Sequence, residues 1–255
     1  MESSIPARQR SVLVTGGGRG IGAAASWFCA QQGYAVAVNY THDAAAAQAW
    51  VDRIVSAGGQ AVTIQADVAD EAQVLAMFAR IDAEMPPLHG LVNNAGVVDL
   101  AARVDAMSAR RLTRMFAINV VGSFVCAREA VKRMSTRHGG QGGAIVNQSS
   151  AAVRLGSPGQ YVDYAASKGA IDSFTLGLAR EVAAEGVRVN AVRPGIIETE
   201  IHASGGEPER AAQMAPAVPM KRAGSADEVA QAIVWLLSDE SSYTTGAVID
   251  STGGR

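Results

Sequence analysis

A short β-branched run, Ser11-Val-Leu-Val-Thr15, leads straight into seven residues of which five are glycine, Gly16-Gly-Gly-Arg-Gly-Ile-Gly22, and then into a helical stretch at 23–32. Strand, tight turn and helix in so few residues leave little choice of architecture, because the helix must fold back onto the sheet that its strand joins. Glycine lets the backbone turn sharply and approach a ligand closely. The first free N–H groups and the positive dipole end of the helix favour phosphate. The spacing departs from the common form. Gly18, Gly20 and Ala23 satisfy Gly-x-Gly-x-x-Gly only in its looser version ending in alanine, whereas Gly16, Gly20 and Gly22 give Gly-x-x-x-Gly-x-Gly.

The same alternation repeats along the chain. Residues 34–40 are a continuous apolar run, as expected of a parallel strand covered on both faces. Helix, strand and helix follow at 44–57, 60–66 and 71–85, the last bounded by Pro86 and Pro87. A fourth strand at 88–92 leads into Asn93-Asn-Ala-Gly96, and a long helix is expected from 109 to about 137. A glycine-rich loop at 139–143, a strand at 144–148, a helix to about 185, a strand at 187–192, a helix at 225–237 and a strand at 247–250 complete the series. Ser225 and Glu228 form a capping box. This pattern predicts an α/β fold, a doubly wound parallel sheet with helices on both faces. No repeat or charged linker divides the chain, so residues 11–255 read as one domain. The polar residues 1–10 read as a mobile tail, and the irregular stretch 196–220 as a lid following a strand end.

Composition excludes several classes of function. With 48% apolar and 18% charged residues the chain supports a packed core and is not disordered. Its formal net charge is -2 and no lysine or arginine run exceeds a pair, so a nucleic-acid partner is not expected. Cys29 and Cys126 fall in apolar helical patterns without metal-ligand spacing and read as buried reduced thiols. No apolar run approaches the length of a membrane span and no signal segment opens the sequence, so a cytoplasmic protein without membrane contact is expected.

The chemistry concentrates in Tyr161-Val-Asp-Tyr-Ala-Ala-Ser-Lys168, at the start of the helix that follows the fifth strand. Residues four apart share a helix face, with Cβ atoms about 5–6 Å apart, so Tyr164 and Lys168 border a common space. Tyr161 has alanine at 165 and no such partner. A phenol with an ordinary pKa of about 10 is a poor acid or base at neutral pH, and a fixed cation beside it favours the phenolate. Tyr164 is therefore a candidate general acid/base, acidified by Lys168. The bare spacing also arises on any amphipathic helix and needs support from elsewhere. Asn119 sits in the apolar stretch Met115-Phe-Ala-Ile-Asn-Val-Val121, where an unpaired amide costs about 1–3 kcal/mol, and it must have a defined partner. Ser149-Ser150 end the fifth strand, and Arg193-Pro-Gly195 end the sixth.

The end of the second strand bears on the cofactor. Dinucleotide folds that select NAD place an acid there, on the ribose 2′-hydroxyl; this chain has Asn39, Tyr40 and Thr41, with Asp43 only later. An acid would repel a 2′-phosphate and Asn39 does not, while Arg19 in the glycine turn can neutralise one. NADP(H) is thus favoured over NAD(H), with Arg19 as a solvated turn residue the alternative. Asp67 and Val68, just past the third strand, are candidates for the adenine ring, and Asp70 reads as a helix N-cap. His42, His89, His138 and His202 are scattered, so no metal site is expected and each reads as structural or solvated.

In this order and spacing the motifs resemble the short-chain dehydrogenase/reductase family over essentially the whole chain after residue 10. The resemblance implies a single Rossmann domain with seven strands in the order 3-2-1-4-5-6-7, assembled as a homotetramer. It also implies hydride transfer between NADP(H) and a small-molecule carbonyl/alcohol pair. By resemblance, Gly16, Gly20, Ile21 and Gly22 form the cofactor turn; Asn93, Asn94, Ala95 and Gly96 support the central sheet beside the cofactor. Pro194, Gly195, Ile197 and Thr199 look like the nicotinamide-contacting segment. Asn119, Ser150, Tyr164 and Lys168 look like the catalytic tetrad, with Lys168 also binding nicotinamide ribose and Asn119 holding a water that relays protons to it. Ser150 lies fourteen residues before Tyr164, one more than is common in the family. Either the loop between them bulges or Ser149 takes the role; Ser150 is favoured because the second serine of such a pair is the catalytic one in similar proteins. Two other functions compete: a 3-oxoacyl-[acyl-carrier-protein] reductase, with Arg137 and Arg180 near the site mouth receiving the acidic carrier, and a non-catalytic cofactor-sensing module. The complete tetrad argues against the module. The substrate itself is not legible, since 151–160 and 196–220 point to no single chemical class.

Overall fold

The structure, a computed structural model, describes residues 10–255. The expected tail therefore lies outside the described residues except for Arg10, which belongs to the fold. Its carbonyl accepts the Ala35 N–H at 3.0 Å and its guanidinium lies 3.3 Å from Asp239. In chain order the elements are β1 (Ser11–Val14), α1 (Gly20–Gln31), β2 (Ala35–Tyr40), α2 (Ala44–Ser56), β3 (Gln60–Gln65), α3 (Glu71–Glu84), β4 (Leu88–Asn93) and α4 (Ala109–Phe116). A π-helical turn (Ala117–Val121) then leads to α5 (Gly122–Met134), β5 (Gly143–Gln148), α6 (Ala152–Leu155), α7 (Val162–Val182), β6 (Val187–Pro194), α8 (Ile201–Ser204), α9 (Arg210–Met214), α10 (Ala226–Leu237) and β7 (Val248–Ser251).

The seven strands form one parallel sheet in the order β3-β2-β1-β4-β5-β6-β7, as the sequence predicts. Successive side chains of a strand point to opposite faces, and both faces are covered, which explains the unbroken apolar runs. Val12, Val14, Val36, Val38 and Val146 join one core with α1 and α10. Leu13, Ala37, Leu91, Ile145 and Val189 join the other with α3, α5 and α7. Strand β1 pairs with β2 on one side and β4 on the other. The order reverses there, which opens a crevice at the carboxyl ends of the strands.

Caps follow the sequence signals. Asp43 accepts the Ala46 N–H at the start of α2, Asp70 accepts those of Ala72 and Gln73 at the start of α3, and Ser225 and Glu228 close the capping box of α10. Two expectations need correction. The helix expected over 109–137 is α4, a π-helical turn and α5 ending at Met134, and the π turn carries Asn119, whose side chain engages the main chain of Val97. The segment 196–220, expected to be irregular, contains α8 and α9.

Candidate active site

The glycine turn forms the floor of the crevice. Gly16 and Gly20 have φ of 60° and 49°, a left-handed backbone open to glycine at little strain. A Cβ on Gly22 would stand 2.3 Å from the Gly16 carbonyl oxygen and 2.4 Å from the Asn94 amide. The operative spacing is thus Gly16, Gly20 and Gly22, while Gly18 packs on Ala47 of α2. Helix α1 begins with no side-chain cap and no acid in its first turn. Its free N–H groups and positive end, reached past bare glycine backbone, fit the pyrophosphate of a dinucleotide. Arg19 is exposed beside them and makes no ion pair among the described residues.

Two residues of the expected cofactor crevice, Asn39 and Asn94, bond the glycine turn with their side chains. Asn39 is buried; its Oδ1 accepts the Gly16 N–H at 3.2 Å and its Nδ2 donates to the Ile64 and Ala66 carbonyls. It braces the glycine turn against the end of β3. Asn94 donates its side-chain amide to the Thr15 and Gly16 carbonyls at 2.8 and 3.0 Å, and so holds the turn from the β4 side. Its neighbour Ala95 packs against Gly16 and donates its N–H to Thr15 Oγ1. Tyr40 packs on the α1 face of the core, Asp67 accepts the Ala69 N–H, and Val68 is buried under Gly122.

Around Tyr164 the chain encloses a cavity of about 340 Å³. Ile21, Pro194, Gly195, Ile197 and Thr199 line it on the side of the glycine turn, and Thr199 stands against Gly20. Ser149 and Ser150 both line the cavity; Ser150 lies beside the phenol, whereas the more buried Ser149 directs its hydroxyl at the Lys168 carbonyl, 3.4 Å away. The longer Ser150–Tyr164 spacing is absorbed by a bulge: α6 ends at Gly156 (φ 68°), followed by Ser157 (φ 47°) and Gly159 (φ 72°).

Lys168 is buried, and its ammonium donates to the Gln148 carbonyl at 2.7 Å, 5.7 Å from the centre of the Tyr164 ring. Burial brings its pKa down to about 8, against the opposing pull of Asp172. The direction of the Tyr164 shift does not come from Lys168, which the sequence reading expected to acidify it. Burial pushes the phenol above its ordinary value, and the group that pulls it down is Ser150. The lysine ammonium is held by the carbonyl at the end of β5.

Asn119 is fully buried in the π-helical turn. Its Oδ1 accepts the Val97 N–H at 2.8 Å, and its Nδ2 donates to the Val97 carbonyl and to Ser167 Oγ. A Cβ on Gly96 would lie 3.4 Å from both Asn119 Oδ1 and Lys168 Nζ. These three residues therefore adjoin, although the Asn119 side chain is committed to the protein.

The sequence reading missed a polar cluster at the cavity mouth. Tyr161, set aside for lack of a lysine partner, is buried with Arg210 stacked 5.2 Å from its ring centre. Arg210 pairs with Glu207 and donates to Gln160 Oε1 at 2.8 Å, and Gly205 lies against Val98 and the Tyr161 hydroxyl. His202, expected to be structural or solvated, lines the cavity with Nε2 2.9 Å from the Ile197 carbonyl oxygen; burial holds its pKa below the ordinary value. Also missed was Asp163, whose buried carboxylate binds Arg111 at 2.7 Å and accepts the Tyr164 N–H at 3.0 Å. Only its place beside Tyr164 hinted at this. Cys29 and Cys126 are buried free thiols pushed up to about 12 by burial, and so inert.

Arg137 and Arg180, expected near the site mouth, are at the other end of the sheet. Arg137 precedes the start of β5 and faces Glu185 at 3.8 Å. Arg180 lies in the last turn of α7, about 24 Å along the helix from Tyr164 at a rise of 1.5 Å per residue.

Residues 16–255 match the family model described as Enoyl-(Acyl carrier protein) reductase. The chain is 59% identical to an uncharacterized oxidoreductase of Escherichia coli K12, YgfF, over 95% of its own length and 98% of that protein. It is 36% identical to the 3-oxoacyl-[acyl-carrier-protein] reductase FabG of Staphylococcus aureus, over 96% and 97%. A short chain dehydrogenase from Burkholderia cenocepacia, crystallised with NADP, superposes with a TM-score of 0.88 at 32% identity, over 98% of this chain and 99% of that one. With the sheet order, the glycine turn and the Tyr164–Lys168 pair in one crevice, these likenesses make the chain an oxidoreductase of the short-chain dehydrogenase/reductase family.

Proposed function

We propose that the protein interconverts a carbonyl and an alcohol using NADP(H), with Tyr164 as general acid/base. The observation that carries this reading is the meeting of Tyr164 and Ser150 at one cavity wall, beside the glycine turn and the uncapped start of α1. A bound nicotinamide would supply or accept the hydride. Tyr164, kept neutral by burial, donates its proton to the substrate oxygen in the reductive direction. Ser150 hydrogen-bonds that oxygen as negative charge develops. Lys168, one turn further on, is held by the Gln148 carbonyl, from where it would bind the nicotinamide ribose, and Asn119 fixes the adjoining wall through Val97. The segment 196–220 acts as the lid, latched by Arg210, Glu207 and Tyr161.

Preference for NADP(H) is supported by Arg19 at the glycine turn and by the absence of a carboxylate over Asn39–His42; Asp43 is engaged in capping α2. The neighbour crystallised with NADP points the same way. The acyl-carrier reading loses its proposed docking arginines to the far end of the sheet. Exposed Val121 and Phe124, with Phe124 stacked on Phe174, support assembly into a homotetramer through α5 and α7.

The test is turnover of a panel of carbonyl compounds with NADPH and with NADH, for the wild type and for Tyr164→Phe. Tyr164→Phe is expected to abolish reduction while NADPH binding stays nearly intact. Comparable activity in the variant would remove the general-acid role, and equal kcat/KM for the two nucleotides would remove the cofactor preference.

A further inference from the structure

One helical turn beyond Lys168, at the same four-residue spacing that sets Lys168 after Tyr164, stands Asp172. Its side chain is only 13% exposed. Its Oδ2 accepts Arg193 Nε at 3.0 Å and Nη2 at 2.8 Å, from the end of β6. Its Oδ1 is buried without a hydrogen-bond donor among the described residues. Buried polar atoms almost always find a partner, and this one shares a helix face and a low-dielectric wall with the Lys168 amine, where charge is poorly screened.

Among the described residues no other acid acts on Lys168. Helix α7 contributes Tyr164 and Asp172; β6 contributes Arg193; β5 contributes the uncharged Gln148 carbonyl; Gly96 and Asn119 add no charge. Arg193 does not cancel Asp172 outright, because its Nη1 also lies 3.6 Å from Asp250 on β7, and Asp250 pairs with Arg154 at 3.1 Å. The guanidinium is shared between two carboxylates.

Building on the roles given above to Tyr164 and Lys168, we propose that Asp172 is a positioning residue. It is the counter-charge that keeps the buried Lys168 amine in its ammonium form, and Arg193 sets how much of that charge the lysine feels. Burial drives the amine toward its neutral form and Asp172 opposes this. A neutral amine would lose its charge toward the ribose side of the crevice.

The Lys168 titration can be followed without turnover, by NMR of the full chain labelled at lysine Cε and Nζ, with Lys168→Met to assign the signal. Asp172→Asn is expected to lower the midpoint by about one pH unit. Arg193→Gln is expected to raise it, and Asp172→Glu to keep it. An ion pair that merely fastens α7 to β6 would leave the midpoint unmoved, or move it the same way in Asp172→Asn and Arg193→Gln through loosened packing; either result overturns the proposal. If Asp172→Asn does not fold, Arg193→Gln decides alone, and a midpoint that fails to rise overturns it. The coupling and the reading of function fail separately. Midpoints moving as expected in a protein that reduces no carbonyl would uphold the coupling and sink the function. In an active protein, an alkaline limb of kcat/KM that stays in place in Asp172→Asn would sink Asp172 alone.

Discussion

Ser149 and Ser150 both line the cavity and differ in what their hydroxyls meet. Ser150 borders the cavity beside the Tyr164 phenol, while Ser149 is buried with its hydroxyl directed at a helix carbonyl. Ser150→Ala is therefore expected to lower kcat by about 10²- to 10³-fold, the size of effect seen on losing one donor to a developing oxyanion. Ser149→Ala should lower thermal stability with little effect on kcat, and equal kcat losses in the two would contradict the geometry. Lys168 makes a prediction in pH. Its pKa is about 8 in the folded chain against an ordinary 10.5, so unfolding takes up a proton between those values. The destabilising contribution of Lys168 is complete below about pH 8 and fades as pH rises toward 10.5. The stability advantage of Lys168→Met over wild type, read as urea midpoints, should shrink across that window. Activity that needs the ammonium should fall over the same range, seen as an alkaline limb in kcat/KM.

Helix α7 presents Tyr164, Lys168 and Asp172 on successive turns, and its first turn is held from outside. Asp163, its side chain fully buried, caps the Tyr164 N–H and binds Arg111 of α4, which also donates to the Leu100 carbonyl at 2.6 Å. Arg111→Ala leaves that carboxylate buried without its cation, a loss of about 3–5 kcal/mol. Urea unfolding measures it, and Arg111→Ala combined with Asp163→Asn should recover part of the loss. If the single variant unfolds at the wild-type midpoint, the pair does not anchor the helix. The π-helical turn plays the matching part on α5, since the departure from regular helix lets Asn119 clamp the Val97 main chain behind Lys168.

At the scale of the whole molecule, the sheet brings its carboxyl ends, the glycine turn and the start of α7 to one edge, and leaves an apolar face on the outside of α5 and α7. Val121 is 52% exposed and Phe124 45%, and the Phe124 ring stacks on Phe174 with centroids 3.7 Å apart. Large apolar side chains gathered in this way on a surface support the proposed subunit contact there. If the homotetramer proposed above forms through this face, Phe124→Asp is expected to lower the molar mass in light scattering while the far-UV circular dichroism is unchanged. An unaltered molar mass would move the interface elsewhere.

Period and order were legible in the sequence because they are local. Unbroken apolar runs of six or seven residues such as 34–40 require strands covered on both faces, alternation with helices makes the sheet parallel, and four residues of helix put Lys168 one turn from Tyr164 whatever the rest of the chain does. Partnership was not legible. Asn39 stood where a ribose contact is expected until the Ile64 and Ala66 carbonyls met its amide, and the hold of Asn94 on the glycine turn needed Thr15, 79 residues away, to come within 2.8 Å. The direction of the Tyr164 shift turned on burial and on Ser150, and the role of Tyr161 on an arginine 49 residues further along. Backbone periodicity is written into neighbouring residues, whereas hydrogen-bond partners and charge states depend on atoms that only the crossovers between strands bring together.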